Sequence, residues 1–186
     1  MKVTRAQAEE NRERILDNAA TLFRERGFDG IGLNDLMQAA GLTRGGFYGH
    51  FESKDDLAAQ ATRRALQSNR EQWKQQTDRG LQGWVRAYLS DTHRDRPGAG
   101  CGLAALAGDA ARGGPAVKAA FGEGVENLIA TLQDQMPGAD AGERREQALA
   151  TLSTLVGSLL LSRAVGETRL SSELREAARK HLPAGR

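Results

Sequence analysis

The chain has 186 residues, 39% of them apolar, 27% charged and 5% aromatic, with a formal charge of +2. That length predicts one domain, or one domain with a small appended module, able to hide roughly 70% of its unfolded surface, which excludes intrinsic disorder. Twenty-six Lys and Arg against twenty-four Asp and Glu exclude a polybasic protein, so any contact with nucleic acid must come from local placement.

One cysteine and three histidines exclude a disulfide framework and offer no zinc spacing, so neither metal nor cofactor is expected and a reducing cytoplasm is the expected location. Residues 2–14 are polar and charged, unlike a signal peptide, and no run of 18 apolar residues occurs. No membrane association is expected.

Apolar residues recur at three- and four-residue steps without alternating β-branched runs, which predicts an all-α chain. Thr4 and Gln7 suit a capping box ahead of a first helix whose stripe is Ile15, Leu16, Ala19, Leu22 and Phe23, ended by Gly27. Leu33, Leu36, Met37 and Ala40 predict a short second helix with Gly32 at its cap and Gly41 at its end. After only Gly41, Leu42 and Thr43, with Thr43 as cap, a very short third helix spans Arg44 to His50, the spacing of a helix-turn-helix. Ser53 caps a connecting helix from Lys54 to about Asp78. The expected division is a small N-terminal helix-turn-helix module over residues 1–52 and a larger helical domain over 53–186, linked through the helix at 53–78.

Beyond Gly80, helices are expected at Leu81–Leu89 and Leu103–Arg112, with a loop over His93–Gly102 between them. Pro115 opens another helix, whose stripe continues to Met136, and one more begins at Glu143. The stretch Leu149–Val165 is apolar on nearly every side, more than one core can cover, so a subunit interface is expected there. The tail from Pro183 is expected to fray.

The informative segment is Gly41-Leu-Thr-Arg-Gly-Gly-Phe-Tyr-Gly-His-Phe-Glu-Ser-Lys54. At 100° per residue, Phe47 and Phe51 share one side, and Gly45 and Gly49 fall on the other. Three glycines cost a short helix about 1 kcal/mol each relative to alanine. A surface that must approach another backbone closely gains from that bareness. Laid in a major groove, such a helix places Arg44 and Tyr48 at the edge of the contact. Thr43 offers a hydroxyl and a helix N-terminus to a phosphate, Arg44 grips guanine or phosphate, and Tyr48 and His50 donate to phosphate oxygens. Lys54 sits in a first helical turn, the dipole end that disfavours a cation, and makes better sense where an anion arrives.

The run from Ile31 to Leu57, which contains this segment, resembles the DNA-binding signature of the TetR/AcrR family of transcriptional regulators, with the likeness extending over about residues 8–60. The resemblance implies a homodimer with a helix-turn-helix reader of double-stranded operator DNA and a C-terminal domain sensing a small-molecule effector. It also implies repression relieved by ligand, with Thr43, Arg44, Tyr48, His50 and Lys54 at DNA-contacting positions. The sequence departs from the family pattern in two ways. Gly32 stands where a capping Ser or Thr is usual, and Gly45 and Gly49 leave few side chains to read bases.

Cys101 precedes the helix at Leu103, where free N–H groups favour a thiolate, and His93, Arg94 and Arg96 add positive potential. The stretch from His93 to Leu106 is similar to a branch of that family in which a nearby cysteine is tied to electrophile or oxidant response. A small buried packing residue is the alternative for Cys101. Trp84, Tyr88, Phe121, Leu128 and Met136 are candidate walls of an effector cavity, with Gly122 and Gly124 leaving room. The three histidines are scattered and the cysteine has no motif partner, so no enzyme is expected. The alternative function is a dimeric small-molecule-binding or protein-interaction module without specific DNA binding. Equal numbers of basic and acidic side chains in residues 1–54 keep that alternative open.

Overall fold

A computed structural model describes residues 4–76 and 80–183, and among them the architecture is all-helical: an N-terminal helix-turn-helix unit followed by a C-terminal helical domain. Helix α1 (Arg5–Arg26) starts where the Thr4 hydroxyl accepts the Gln7 amide at 3.2 Å and stops at Gly27, whose φ of 74° is costly for any other residue. The second half of the capping box is missing, because the Gln7 side chain turns along the helix to Glu10 and Asn11. Ile15, Leu16, Ala19, Ala20 and Phe23 are buried from α1. They meet Leu36 and Met37 of α2 (Leu33–Ala39), which begins at Gly32 and is followed by Gly41 at φ 71°.

The third helix is a single 3₁₀ segment, Arg44–Gly49, tighter than the sequence pattern implies. Thr43 precedes it in an extended conformation but makes no side-chain capping bond, which corrects the expected cap and leaves the hydroxyl exposed. Helix α3 (Lys54–Gln76) is capped as expected, the Ser53 hydroxyl accepting the Asp56 amide at 3.0 Å. The expected last turn of this helix, residues 77 and 78, lies outside the described residues.

The remaining helices are α4 (Gly80–Tyr88), α5 (Asp91–Asp95), α6 (Gly102–Arg112), α7 (Pro115–Gln133), α8 (Ala141–Ala164) and α9 (Arg169–His181). Two of them differ from expectation. The stretch predicted as loop contains α5, because the Ser90 hydroxyl accepts the His93 amide at 3.2 Å, and then a 3₁₀ turn over Pro97–Ala99. Helix α9 was not legible in the apolar pattern: its inner face carries Ser171, Arg175 and Ala178. Polar bonds hold it instead. Arg175 is 3% exposed and donates to the Leu89 carbonyl at 3.0 Å and to Asp91 at 2.7 Å, and the Ser162 and Ser171 hydroxyls pair at 2.6 Å.

Two apolar clusters organise the chain. One joins α1, α2 and the 3₁₀ helix to the start of α3 and parts of α6 and α7; the other fills the centre of α4, α6, α7 and α8. Consecutive residues Ala65 and Leu66 of α3 belong to different clusters, so this helix is a wall common to both. Helices α3 and α7 cross closely at Gly124, where an added Cβ would lie 2.1 Å from a Leu66 methyl. Gly124 therefore makes room for a neighbouring helix and not for a ligand, which corrects the expectation from sequence.

Among the described residues no helix is long and apolar enough to cross a membrane. The frayed tail expected beyond Pro183 lies outside the described residues.

Candidate functional site

The candidate DNA-contacting surface is built on the 3₁₀ helix. Phe47 is fully buried, stacks on Phe51 at 5.7 Å and meets the Tyr48 ring edge-on at 5.2 Å, so two aromatic anchors fix a segment too short to be stable alone. The opposite side is bare: a Cβ added at Gly45 or Gly49 would find nothing within 4 Å. Tyr48 stands 71% exposed, a high value for a large aromatic with no partner covering it. Thr43, Arg44 and Gly45 are exposed as well, and His50 and Lys54 are half-buried at the far end. Among the described residues neither Arg44 nor Lys54 joins an ion pair, although Asp55 and Asp56 follow Lys54 directly. Asp56 is occupied instead with the Glu52 amide and the Gln60 side chain. The structure thus brings together the six residues expected from sequence, Thr43, Arg44, Gly45, Tyr48, His50 and Lys54, around one short helix and the helix start that follows it.

Sequence reasoning missed the support behind this surface. Arg12 of α1 lies over the Phe51 ring at 5.4 Å and donates to Gln60 of α3, tying both long helices to the base of the reading helix. An arginine in a polar helix face carries no signal for such a contact.

The second feature is a cavity of about 290 Å³ between the end of α3, α4 and the segment that carries Cys101. Of the candidate walls, Trp84 and Tyr88 line it; Cys101 lies there too, and Trp73, which the sequence did not place there, completes an aromatic group. Phe121 does not line it; that ring lies between the two apolar clusters, while Leu128 and Met136 are fully buried core.

Cys101 is 1% exposed, and burial pushes its thiol pKa up. Its bonds with Tyr88 and the first backbone amides of α6 act the other way without reversing the shift. The expected lowering at a helix N-terminus is thus outweighed by desolvation, and the resting group is a thiol. The Tyr88 hydroxyl is also buried, its pKa raised well above the ordinary value first by burial and then by the neighbouring cysteine. It forms no hydrogen bond of good geometry.

The loop before α6 is held bond by bond. The Cys101 amide donates to His93 Nε2 at 2.8 Å, which requires that nitrogen to be unprotonated and places the proton on Nδ1, facing the Tyr88 carbonyl at 2.6 Å. Asn69 of α3 accepts the Gly102 amide at 2.7 Å and donates to the Gly100 carbonyl at 3.1 Å. The same carbonyl accepts from Arg24 of α1 at 3.3 Å. Arg163 donates to the His93 carbonyl at 2.7 Å and the Arg94 carbonyl at 3.0 Å. Asn69, Arg24 and Arg163 were invisible to sequence reasoning, since they lie 31 to 76 positions from their partners or in another helix.

Burial lowers the His93 pKa from 6.5, opposed by the Tyr88 carbonyl and reinforced by Arg163. A base whose folded pKa is depressed binds fewer protons in the native state than when unfolded, so its contribution is full above pH 6.5 and is lost as pH falls toward the folded value. Urea midpoints measured from about pH 8 down to about pH 5 are therefore expected to fall more in the wild type than in His93→Gln, which has no imidazole to protonate.

Among the described residues no group of three His, Cys, Asp or Glu is placed to hold a metal.

Comparison with known proteins agrees with this geometry. The family model for bacterial regulatory proteins of the tetR family matches residues 15–61. The HTH-type transcriptional regulator AcrR of Shigella flexneri is 44% identical over 54 residues, 29% of this chain and 25% of that protein. The biofilm operon icaADBC HTH-type negative transcriptional regulator IcaR of Staphylococcus aureus (strain Newman) is 36% identical over 52 residues, 28% of each. The chain therefore spans about a quarter of the length of these curated relatives. Over the whole fold it is similar to a TetR transcriptional regulator from Chloroflexus aurantiacus, with a TM-score of 0.75 and 26% identity over 95% of this chain and 94% of that one. The reduced form of E. coli NemR has the same fold, with a TM-score of 0.75 at 21% identity over 93% and 95%. The tetR family model thus covers the helix-turn-helix segment, and the helical body that follows has the fold of the solved TetR regulator from Chloroflexus aurantiacus.

Proposed function

We propose that this protein is a transcriptional repressor that binds a palindromic duplex operator as a homodimer and is released by a small molecule entering the cavity beside Cys101. Residues 1–52 form the reader in this account, and residues 53–186 carry sensing and pairing. The observation that carries the reading is Tyr48, 71% exposed beside a side-chain-free ridge and anchored from below by buried Phe47. An exposed tyrosine on a rigid base, with unpaired Arg44 and Lys54 nearby, suits a phosphate backbone at close range. Two such helices about 34–36 Å apart meet successive major grooves. Thr43, with its hydroxyl free of a capping bond, and half-buried His50 are donors to the same backbone.

The burial and raised pKa of Cys101 weigh against direct modification of the resting protein by an electrophile or oxidant. They favour a bound effector as the releasing event.

The test is a salt titration on duplex fragments selected from a random pool. Tyr48→Ala and Lys54→Ala are each expected to weaken binding to all sequences and to reduce the slope of log affinity against log salt by about 1, the mark of one lost phosphate contact. Unchanged slopes in both variants would remove the proposed DNA interface.

A further inference from the structure

The cavity beside Cys101 has a chemical preference of its own. Three rings, Trp73, Trp84 and Tyr88, form its apolar side and pack on one another. Trp73 and Trp84 meet edge to face at 4.7 Å and 70°, Trp73 and Tyr88 at 5.4 Å and 77°, and the His93 ring stands against Tyr88 at 4.7 Å and 81°. An open aromatic cage would attract a cation through its ring faces. These rings instead meet one another edge to face or tilted.

The charges around it point the other way. Among the described residues no Asp or Glu lines the cavity, whereas Arg96 does, and Arg96 is exposed and joins no ion pair. Behind the Gly100 backbone lies Arg163, whose Nη2 would be 3.0 Å from a Cβ added at Gly100 and whose Nη1 is buried without a partner. Arg24 and Arg163 both act electrostatically on Cys101 from outside the cavity. The Tyr88 hydroxyl is buried beside the Cys101 thiol, a weak acceptor. A volume of about 290 Å³ stands at the small end of ligand sites.

We propose that the cavity takes a small planar aromatic carboxylate, with the ring against Trp73, Trp84 and Tyr88 and the carboxylate toward Arg96. The proposal rests on the cavity being the effector site. Ligand preference and DNA release are therefore measured separately.

Trp73 and Trp84 are the two tryptophans of the chain, and both line this cavity, so intrinsic fluorescence reports on this region alone. The full-length protein is titrated with benzoate, with benzamide as the neutral isostere and with benzylammonium as the cation. Benzoate is expected to give a saturable change, benzamide to bind about tenfold more weakly, the worth of one charge-assisted hydrogen bond at a solvated site, and benzylammonium to give none. Arg96→Gln, a change at an exposed position, is expected to make benzoate and benzamide equal. The proposal is overturned by a wild type that binds benzamide as well as benzoate, by a preference for benzylammonium, by no saturable response, or by Arg96→Gln leaving the preference intact.

A second arm follows release of a labelled duplex. Benzoate that binds without releasing DNA upholds the ligand class and sinks the effector reading. Benzamide that releases DNA as readily as benzoate overturns the class and leaves the effector reading standing.

Discussion

Leu149→Arg combined with Leu160→Arg is expected to leave the protomer folded, to render it monomeric in sedimentation, and to weaken operator binding by roughly 10²–10⁴-fold, the loss of a linked second site. The two leucines are 42% and 43% exposed, so the charges cost the isolated fold little. They stand eleven residues apart, which at 3.6 residues per turn puts them about 20° apart on one face of α8. Between them Gly157 has open space around its Cα, and Leu161 and Leu170 add further exposed apolar area, 52% and 50% exposed. The adjoining face of α8, about 90° round the helix, buries Ala148, Leu152, Leu155 and Leu159 in the core, which leaves Leu149 and Leu160 only partly covered within the protomer. A variant that sediments as a dimer would show that copies pair elsewhere.

Phe47→Ala is expected to cost about 3–5 kcal/mol in urea unfolding, the range for truncating a buried aromatic. Operator binding should be lost even under conditions where the C-terminal domain remains helical. The 3₁₀ helix has six residues, three of them glycine, and Phe47 is its one buried side chain. Removing that ring also strips Phe51 and Tyr48 of their stacking and edge contacts. Tyr48→Ala, made one position along, should change stability by less than about 0.5 kcal/mol, because its ring is largely in solvent. The contrast between neighbours separates holding the surface from using it. A Phe47→Ala protein as stable as wild type would show that the helix is held by contacts other than its anchor.

The N-terminal half was legible in the sequence because its signals are local. Caps at Thr4 and Ser53, stops at Gly27 and Gly41, and the Phe47–Phe51 pair all act within a few residues of one another. The C-terminal half was less legible for the opposite reason. Helix α9 is held by Arg175 reaching back to Leu89, 86 positions away, and polar bonds of that span leave no periodic trace. The thiol of Cys101 was misjudged because a helix N-terminus is visible in a sequence whereas complete burial is not. Likewise Trp73 read as part of a connecting helix, and only the packing of α3 against α4 brings it to Trp84. Gly124 signalled a gap, and the gap exists, but Leu66 fills it.

The empty space at positions 45 and 49 has a consequence for how this protein can change. Nothing in the protomer vetoes a larger side chain at either place, so the glycines there are kept, if they are kept, by whatever the protomer meets and not by its own architecture. With the proposed DNA interface, target choice drifts by substitution at these two sites while thermodynamic stability stays level or rises. A lineage carrying this scaffold could acquire new addresses on a chromosome without first repairing its fold.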